Sequence, residues 1–301
     1  MAIVTTADLT LPSNIENGII EKAKTSSTIM ALSGRSPQRF GQTSLITFDN
    51  DLTAEFVEES GAKGADSATP VPVTAVPHKV VVQVRTSEEF KWADDEYQLG
   101  IMAEFQTKCA RALARALDLG LYFRVNPRTG TAITAWTNYL NSTTNRVEIA
   151  TADPDVDFES AAGLVINAGY NVNGVAMAPQ WAWKLSTSRY TDGRKKFPEL
   201  GLGTNVSSFE GVNASVSSTV QGKATDGAAT DNKVRSILGD FQTGIFWGVQ
   251  KAFPFRILEF GDPDNTGRDL AGHNEILLRA EVVYGWHVFP ERFAIIEDAV
   301  A

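Results

Sequence analysis

Apolar residues recur at every fourth position between residues 93 and 122, and this is the strongest pattern in the chain. The positions are Tyr97, Ile101, Phe105, Cys109, Leu113, Leu117 and Leu121. A repeat close to 3.6 residues places such side chains on one face of an α-helix. A helix over this span would be roughly 45 Å long at 1.5 Å per residue. We therefore predict one long helix that supports the fold.

Strand-like segments occur both before and after this helix in the sequence. They cover residues 45–48, 54–57, 79–85, 174–178, 245–249 and 255–260. Near the C-terminus, alternating apolar residues from Leu278 to Val288 predict a strand with one buried face, and a further strand follows at 293–296. Strands and helices mixed in this order predict an α+β fold.

Two segments before the long helix lack the apolar surface needed to form a core. Residues 1–45 predict an arm that is either disordered or held by other chains, because ordering a backbone costs about 1–2 kcal/mol per residue. Residues 46–86 predict an extended two-stranded ribbon with a small, polar tip at 59–68. Its prolines at positions 70, 72 and 77 favour an exposed edge. Such a ribbon is only marginally stable alone, so we expect it to lie on something else.

The middle of the chain predicts shorter elements. Residues 128–157 are typical of a loop, and a helix is predicted over 158–170 with Asp157 as its N-cap and Ile166 among its apolar positions. A second helix follows Pro179, with Trp181 and Trp183 expected in a core. Residues 222–233 have the composition of a flexible loop.

Composition narrows the possible functions. The chain has 301 residues, of which 43% are hydrophobic and 21% charged, and this is typical of a folded protein with a sizeable core. The formal net charge is -9 and the longest basic run is the triplet 194–196, which argues against tight DNA binding. A single cysteine, Cys109, excludes an intrachain disulfide. The N-terminus lacks a basic region followed by an apolar run, so we expect no signal peptide. No apolar run approaches the roughly 20 residues needed to span a bilayer, so we expect no membrane span.

Candidate chemistry is sparse, and we predict no catalytic, cofactor-binding or metal-binding residues. The three histidines at 78, 273 and 287 have no metal-ligand spacing. The acidic run 94–96 suggests either paired acids for hydrolysis or, better, the start of a helix. The residues from Asp262 to Asp269 weakly resemble a calcium loop, but Pro263 and the missing closing glutamate favour a turn. Cys109 lies on the apolar helix face and is expected to be a buried thiol.

Several segments, taken in order, resemble the tailed-phage major capsid family, which has the Hong Kong 97-type fold. Residues 54–59 and 79–89 resemble its extended loop and the strand before its spine helix. Residues 175–193 resemble its axial domain, and residues 209–215 and 237–241 resemble two of its turn and strand motifs. Residues 279–294 resemble its closing strand. Each piece alone is unspecific, but together they cover nearly the whole chain.

The resemblance implies a division of the chain and a function. The implied parts are an N-terminal arm (1–45), an extended β-ribbon loop (46–86), a peripheral domain with the spine helix (87–145), an axial domain (146–272) and returning peripheral strands (273–301). The implied function is a major capsid protein that forms pentamers and hexamers of an icosahedral shell around double-stranded DNA. An encapsulin-like compartment of the same fold, a hydrolase and a carbohydrate-binding module are the alternatives.

The resemblance also implies partners and contact residues. The main partner is the chain itself, in a virion assembled in the host cytoplasm. Packaged DNA would be contacted weakly and without sequence specificity, and no membrane is involved. A scaffolding protein, if there is one, should be a separate chain, and a portal and a decoration protein are possible. The expected intersubunit contacts are Lys63, Glu58, Glu59, Asn265, Asn274 and Arg194.

Lys63 has a further expected role, because some members of the family join a loop lysine to an asparagine of a neighbour through an isopeptide bond. Asn265 and Asn274 are the candidate acceptors, with Glu281 as a possible base. The amine must lose its proton before it attacks, which needs desolvation or a nearby base. The alternative is an ordinary solvated lysine or an intersubunit ion pair.

Overall fold

The computed structural model describes the chain over most of its length. It covers residues 27–41, 43–48, 53–66, 70–89, 95–149, 153–203, 206–225 and 227–299. Its α-helices are α1 (Thr28–Leu32), α2 (Asp95–Phe123), α3 (Pro154–Asn167) and α4 (Pro179–Thr187). Its strands are β1 (Thr43–Phe48), β2 (Pro70–Ser87), β3 (Arg146–Ile149), β4 (Gly174–Met177), β5 (Ser208–Phe209), β6 (Val212–Val216), β7 (Val234–Gly239), β8 (Ile245–Leu258), β9 (Glu275–Val288) and β10 (Phe293–Asp298). The mixture confirms the α+β class.

The long helix α2 agrees with the prediction from the apolar repeat. All described side chains of that repeat are buried, from Phe105 to Leu121. Gly120 lies in the last turn, where a Cβ would approach the Trp286 ring to 3.0 Å and the Trp136 ring to 3.3 Å. Glycine at this position therefore lets α2 lie close to β9. The helix ends at Phe123, and Arg124 follows in a left-handed conformation with φ of 51°.

The first sheet has the order β1-β2-β9-β8. Residues 70–75 of β2 pair with β1, and residues 76–87 pair with β9. Each half of β2 thus has one neighbouring strand. Proline has no N–H to donate to a strand ladder, so it is tolerated in a strand that pairs on one side. The strand predicted over 54–57 is wrong, because these residues have no regular secondary structure.

The second sheet has the order β3-β10-β7-β4-β6-β5, with α3 and α4 packed on it. Strand β4 is fully buried, as predicted. The loop predicted over 128–157 is wrong at residues 146–149, which form β3. This strand pairs in parallel with β10, about 150 residues later in the chain. Helix α3 begins at Pro154 and its N-cap is Asp153, so the predicted cap Asp157 is instead a buried residue of the first turn.

Two apolar side chains expected in a core are exposed. Ile166 of α3 and Trp183 of α4 are both 59% exposed, whereas Trp181 is buried as predicted. The periodicity of α4 explains the difference, because residues two apart lie on opposite sides of a helix. A second, smaller core contains Phe105, Cys109 and residues of β8 and β9.

The expectation that the arm cannot pack on its own chain is wrong for residues 27–36. Ile29, Met30 and Leu32 of α1 are buried against α2, β4 and β6. Ser33 accepts a hydrogen bond from Trp247 Nε1 at 2.8 Å, which joins the segment to β8. Residues 1–26 lie outside the described residues, so the prediction for that part of the arm is unchanged.

Candidate intersubunit surfaces

The loop between β1 and β2 is the most exposed part of the described chain. Every described residue from 53 to 66 is exposed, and Phe56 is as exposed as in an extended peptide. Burying a phenylalanine contributes roughly 1.5–3 kcal/mol, and Phe56 obtains none of this from its own chain. The loop therefore offers apolar surface to a partner.

Hydrogen bonds hold this loop in one shape without a core. At its base, Thr53 donates from its backbone N–H and its hydroxyl to Asp66 Oδ2, at 2.6 and 2.7 Å, and these bonds lower the pKa of Asp66. At its tip, Gly61 N–H donates to Glu58 O at 2.9 Å. The Gly64 N–H donates to the Glu55 carboxylate. The loop is thus an ordered projection, although its last predicted tip residues, 67 and 68, lie outside the described residues.

The loop is acidic. It carries Glu55, Glu58, Glu59 and Asp66 against the single cation Lys63. Glu58, Glu59 and Lys63, three of the expected contact residues, are therefore together on this projection. A partner surface that receives the loop should be basic or neutral around an apolar contact.

Arg85 lies near the C-terminal end of β2 and binds three carboxylates. Its guanidinium contacts Asp262 at 3.1 Å and Glu275 at 2.7 Å, and it also pairs with Asp264. The hydrogen bonds to Asp264 and Glu275 raise the pKa of Arg85, and the same bond from Arg85 lowers the pKa of Glu275. The Asp262–Asp269 segment is the predicted turn, since Asp262 accepts the backbone N–H of Thr266 at 3.0 Å.

Asn265 lies in this turn and Asn274 directly precedes β9, both in left-handed conformations with φ of 54° and 53°. Glu281 forms an ion pair with Lys79 at 2.9 Å. Among the described residues, none of the hydrogen bonds or ion pairs joins Lys63 to these three residues.

Arg194 lies far from this region in sequence, on an exposed turn after α4. Its side chain is 82% exposed and pairs with Asp192 at 2.6 Å. The neighbouring Lys196 is instead bound by Asp153 and Asp155, both at 3.0 Å. The basic triplet is thus partly neutralised within its own chain, which leaves Arg194 as the more accessible cation.

The buried polar residues serve the fold. His78 stacks on Trp286 and lies tilted against Trp136, with ring centroids 4.0 and 4.1 Å apart, and burial lowers its pKa to about 4. Burial raises the pKa of Cys109 to about 12, so this thiol is unreactive at neutral pH. Among the described residues, no group of three or more histidine, cysteine or acidic side chains is placed to hold a metal ion.

Asp118, a fully buried acidic residue with several hydrogen-bond partners, was not among the residues predicted from the sequence. It is fully buried in α2 and accepts hydrogen bonds from Ser27, Thr28 and Thr219. Burial raises its pKa, although these hydrogen bonds oppose the shift. The signal for it was an acidic residue between Leu117 and Leu119, inside the apolar part of the predicted helix.

Comparisons with known proteins agree on one family. A family model described as the phage capsid family matches residues 7–296. A solved structure from Mycobacterium phage Ogopogo is 38% identical, with a TM-score of 0.80, and the match covers 99% of this chain and 100% of that one. A structure from Gordonia phage Cozz is 26% identical, with a TM-score of 0.74 and coverage of 92% and 87%.

A more distant structure, described as the capsid of an empty GTA particle computed with C5 symmetry, is 16% identical with a TM-score of 0.60 and coverage of 91% and 90%. It shares the fold. A comparison with curated proteins gave no match. None of the helices in the described part of the chain is both long and apolar enough to cross a bilayer.

Proposed function

Because the chain belongs to the phage capsid family, whose model matches residues 7–296, we propose that it is the major capsid protein of a tailed phage. Copies assemble into pentamers and hexamers of an icosahedral shell that encloses double-stranded DNA. The protein is structural and works by assembly.

The exposed loop at 53–66 is the observation that best supports assembly. It is ordered by hydrogen bonds, yet it has no core of its own and presents Phe56 to solvent. Permanent protein interfaces bury about 2,000–5,000 Å², and a projection of this kind can contribute to such an area on a neighbouring subunit. A closed shell also covers exposed strand edges that would otherwise aggregate.

The contacts with DNA are proposed to be weak. The net charge is -9 and the only basic triplet is partly paired with acids of the same chain. Phosphate neutralisation by a basic face is the usual basis of DNA affinity. The shell would therefore retain DNA by enclosing it. A separate scaffolding protein, a portal and a decoration protein complete the proposed set of partners, with assembly in the host cytoplasm.

Of the alternatives, an encapsulin-like compartment requires the same assembly and differs in its contents. The hydrolase alternative relied on the acidic run 94–96. Helix α2 begins at Asp95, so this run stands where acids stabilise a helix N-terminus. Asp94 itself lies outside the described residues.

Sedimentation velocity tests the proposal. The purified chain, alone and together with candidate scaffolding proteins from the same genome, should yield a fast-sedimenting species of many subunits. Nuclease-protected DNA in particles from infected cells distinguishes a phage shell from a compartment for cargo proteins. A chain that stays monomeric under all these conditions is not a capsid protein.

A further inference from the structure

The segment between α1 and β1 crosses one face of the first sheet. The Ser36 N–H donates to Trp247 O of β8 at 2.8 Å. Further along, Gln38 Nε2 donates to Gly285 O of β9 at 3.3 Å. The segment therefore passes from β8 to β9, and we call residues 35–41 the strap.

Two glycines form the seat on which the strap lies. Gly248 and Gly285 stand directly opposite each other in β8 and β9, so both leave bare backbone on the same face of the sheet. A Cβ on Gly248 would collide with Ser36 O and would lie 2.9 Å from Gln38 Cγ. A Cβ on Gly285 would collide with the amides of Gln38 and Gln250. Glycine inside a strand often marks such a close approach of another segment.

Gln250 joins the strap to β2. It lies in β8 where the register against β9 shifts, and irregularities of this kind re-aim side chains. Its Oε1 accepts the Gly41 N–H at 3.2 Å, and its Nε2 donates to Gln38 Oε1 at 3.2 Å and to Ala75 O at 3.4 Å. The side chain is only 8% exposed, so these bonds give its amide the partners that burial requires.

Ala75 is the residue at which β2 changes its partner strand. Residues 70–75 pair with β1, and residues 76–87 pair with β9. The first part is the two-stranded ribbon that carries the loop 53–66. A two-stranded ribbon is only marginally stable alone, so its direction depends on contacts at its root. The hydrogen bond from Gln250 falls at this root.

We propose that the strap sets the direction in which the ribbon leaves the first sheet, with Gln38 and Gln250 as positioning residues. The strap is held at both ends, because the buried helix α1 precedes it and β1 follows it. Its role in assembly rests on the proposed function. A loop 53–66 that already points in one direction loses less conformational freedom when it binds a neighbouring subunit.

The distance between two spin labels in the unassembled subunit tests the proposal. Pulsed electron paramagnetic resonance measures it between cysteines introduced by Ala54→Cys, beside the base of the loop, and by Glu104→Cys, on the exposed side of α2. The native Cys109 is buried, and burial raises its pKa to about 12, so it stays unlabelled. We expect one narrow distance distribution in the otherwise wild-type subunit.

Three substitutions then change the strap or spare it. Gln38→Ala removes the bonds to Gln250 and Gly285 without adding an atom, and should widen the distance distribution at least about twofold. Gly285→Ala should widen it as well, because the new methyl group displaces both amides. Gly34→Ala is the matched control next to the strap, where a Cβ would meet no described atom within 4 Å, and it should leave the distribution unchanged.

Gln38→Ala decides the test if the crowding in Gly285→Ala prevents folding. Circular dichroism should show that the Gln38→Ala subunit is folded. Its particle yield should fall at least about fivefold, because a ribbon without a fixed direction must be ordered on binding. Gly34→Ala should give the wild-type yield.

The outcomes separate this proposal from the capsid function. A broad distribution in the wild-type subunit, an unchanged one in Gln38→Ala, or an equal widening in Gly34→Ala overturns the positioning role of the strap. A normal particle yield from Gln38→Ala despite a widened distribution overturns its role in assembly. If the wild-type chain forms no particles under any condition, the capsid function fails, and the distances still decide whether the strap positions the ribbon.

Discussion

Asp118, in the last third of α2, accepts a hydrogen bond at 3.0 Å from the backbone N–H of Thr28, ninety residues earlier in the chain. The same carboxylate accepts the hydroxyl of Ser27 and that of Thr219, which lies in the 3-10 turn 218–221. It therefore supplies acceptors to the start of α1 and joins that helix to a turn beside β7. A single buried carboxylate thus holds together three segments that are distant in sequence.

Asp118→Asn should destabilise the unassembled subunit by about 1–3 kcal/mol, because the new NH₂ group would meet donors instead of accepting from them. Glu104→Gln is the matched control on the same helix. Glu104 is exposed and pairs with Lys108 at 2.9 Å, so the loss of its charge should change stability by less than about 0.5 kcal/mol. Urea unfolding followed by circular dichroism measures both; equal effects would mean that Asp118 contributes nothing specific.

His78 should make stability depend on pH in the mildly acidic range. Its pKa falls from 6.5 to about 4 on folding because burial disfavours the charged ring. The folded state favours the neutral ring. The contribution of neutral His78 to the free energy of unfolding is therefore fully present above pH 6.5 and is lost as the pH falls through about 4. The melting temperature of the wild-type subunit should fall over that interval more steeply than that of His78→Phe.

Phenylalanine at position 78 retains a ring between Trp136 and Trp286 and cannot titrate. The pKa of His287 is also lowered by burial, but His287 is present in both proteins, so the difference between the two curves isolates His78. Parallel curves for the two proteins would show that the His78 ring does not titrate differently in the folded and unfolded chain.

Phe105 and Phe56 should separate folding from assembly. Phe105 is buried and contacts Phe255 edge-on at 5.2 Å, so Phe105→Ala should cost about 3–5 kcal/mol of folding stability. Phe56→Ala should change the stability of the free subunit by less than about 0.5 kcal/mol and lower particle yield roughly tenfold. Particles of normal yield and heat resistance from Phe56→Ala would mean that the loop makes no intersubunit contact.

The parts of the fold set by local periodicity could be predicted from sequence. The four-residue repeat from Phe105 to Leu121 gave α2, and the alternation from Leu278 to Val288 gave the buried face of β9. The prolines in β2 indicated limited strand pairing. Family motifs gave the function, because each marks a place in the known order of elements.

The elements that the sequence did not predict depend on contacts between residues that are distant in the chain. Strand β3 has four residues and gains its order from β10, and the short helix α1 is buried because α2 supplies Asp118 to its N-terminus. No local pattern contains either partner. Trp183 and Trp181 have the same local chemistry, and only the placement of α4 on the second sheet decides which one is buried.

The expected covalent bond at Lys63 can be tested on a denaturing gel. If it joins an asparagine of a neighbour, mature particles boiled in detergent should run as ladders of linked chains, and Lys63→Ala should abolish them. Asn265→Ala and Asn274→Ala identify the acceptor, because only the variant that lacks the reacting amide should lose the ladder. A single band near the chain mass of 32.6 kDa would show that packing alone holds the shell.

Electron cryomicroscopy of the assembled wild-type protein tests the central claim most directly. The account predicts closed particles with five-fold vertices, in which each loop 53–66 lies on a neighbouring subunit and Phe56 is buried there. Monomers, open aggregates, or closed particles in which this loop projects into solvent would contradict it.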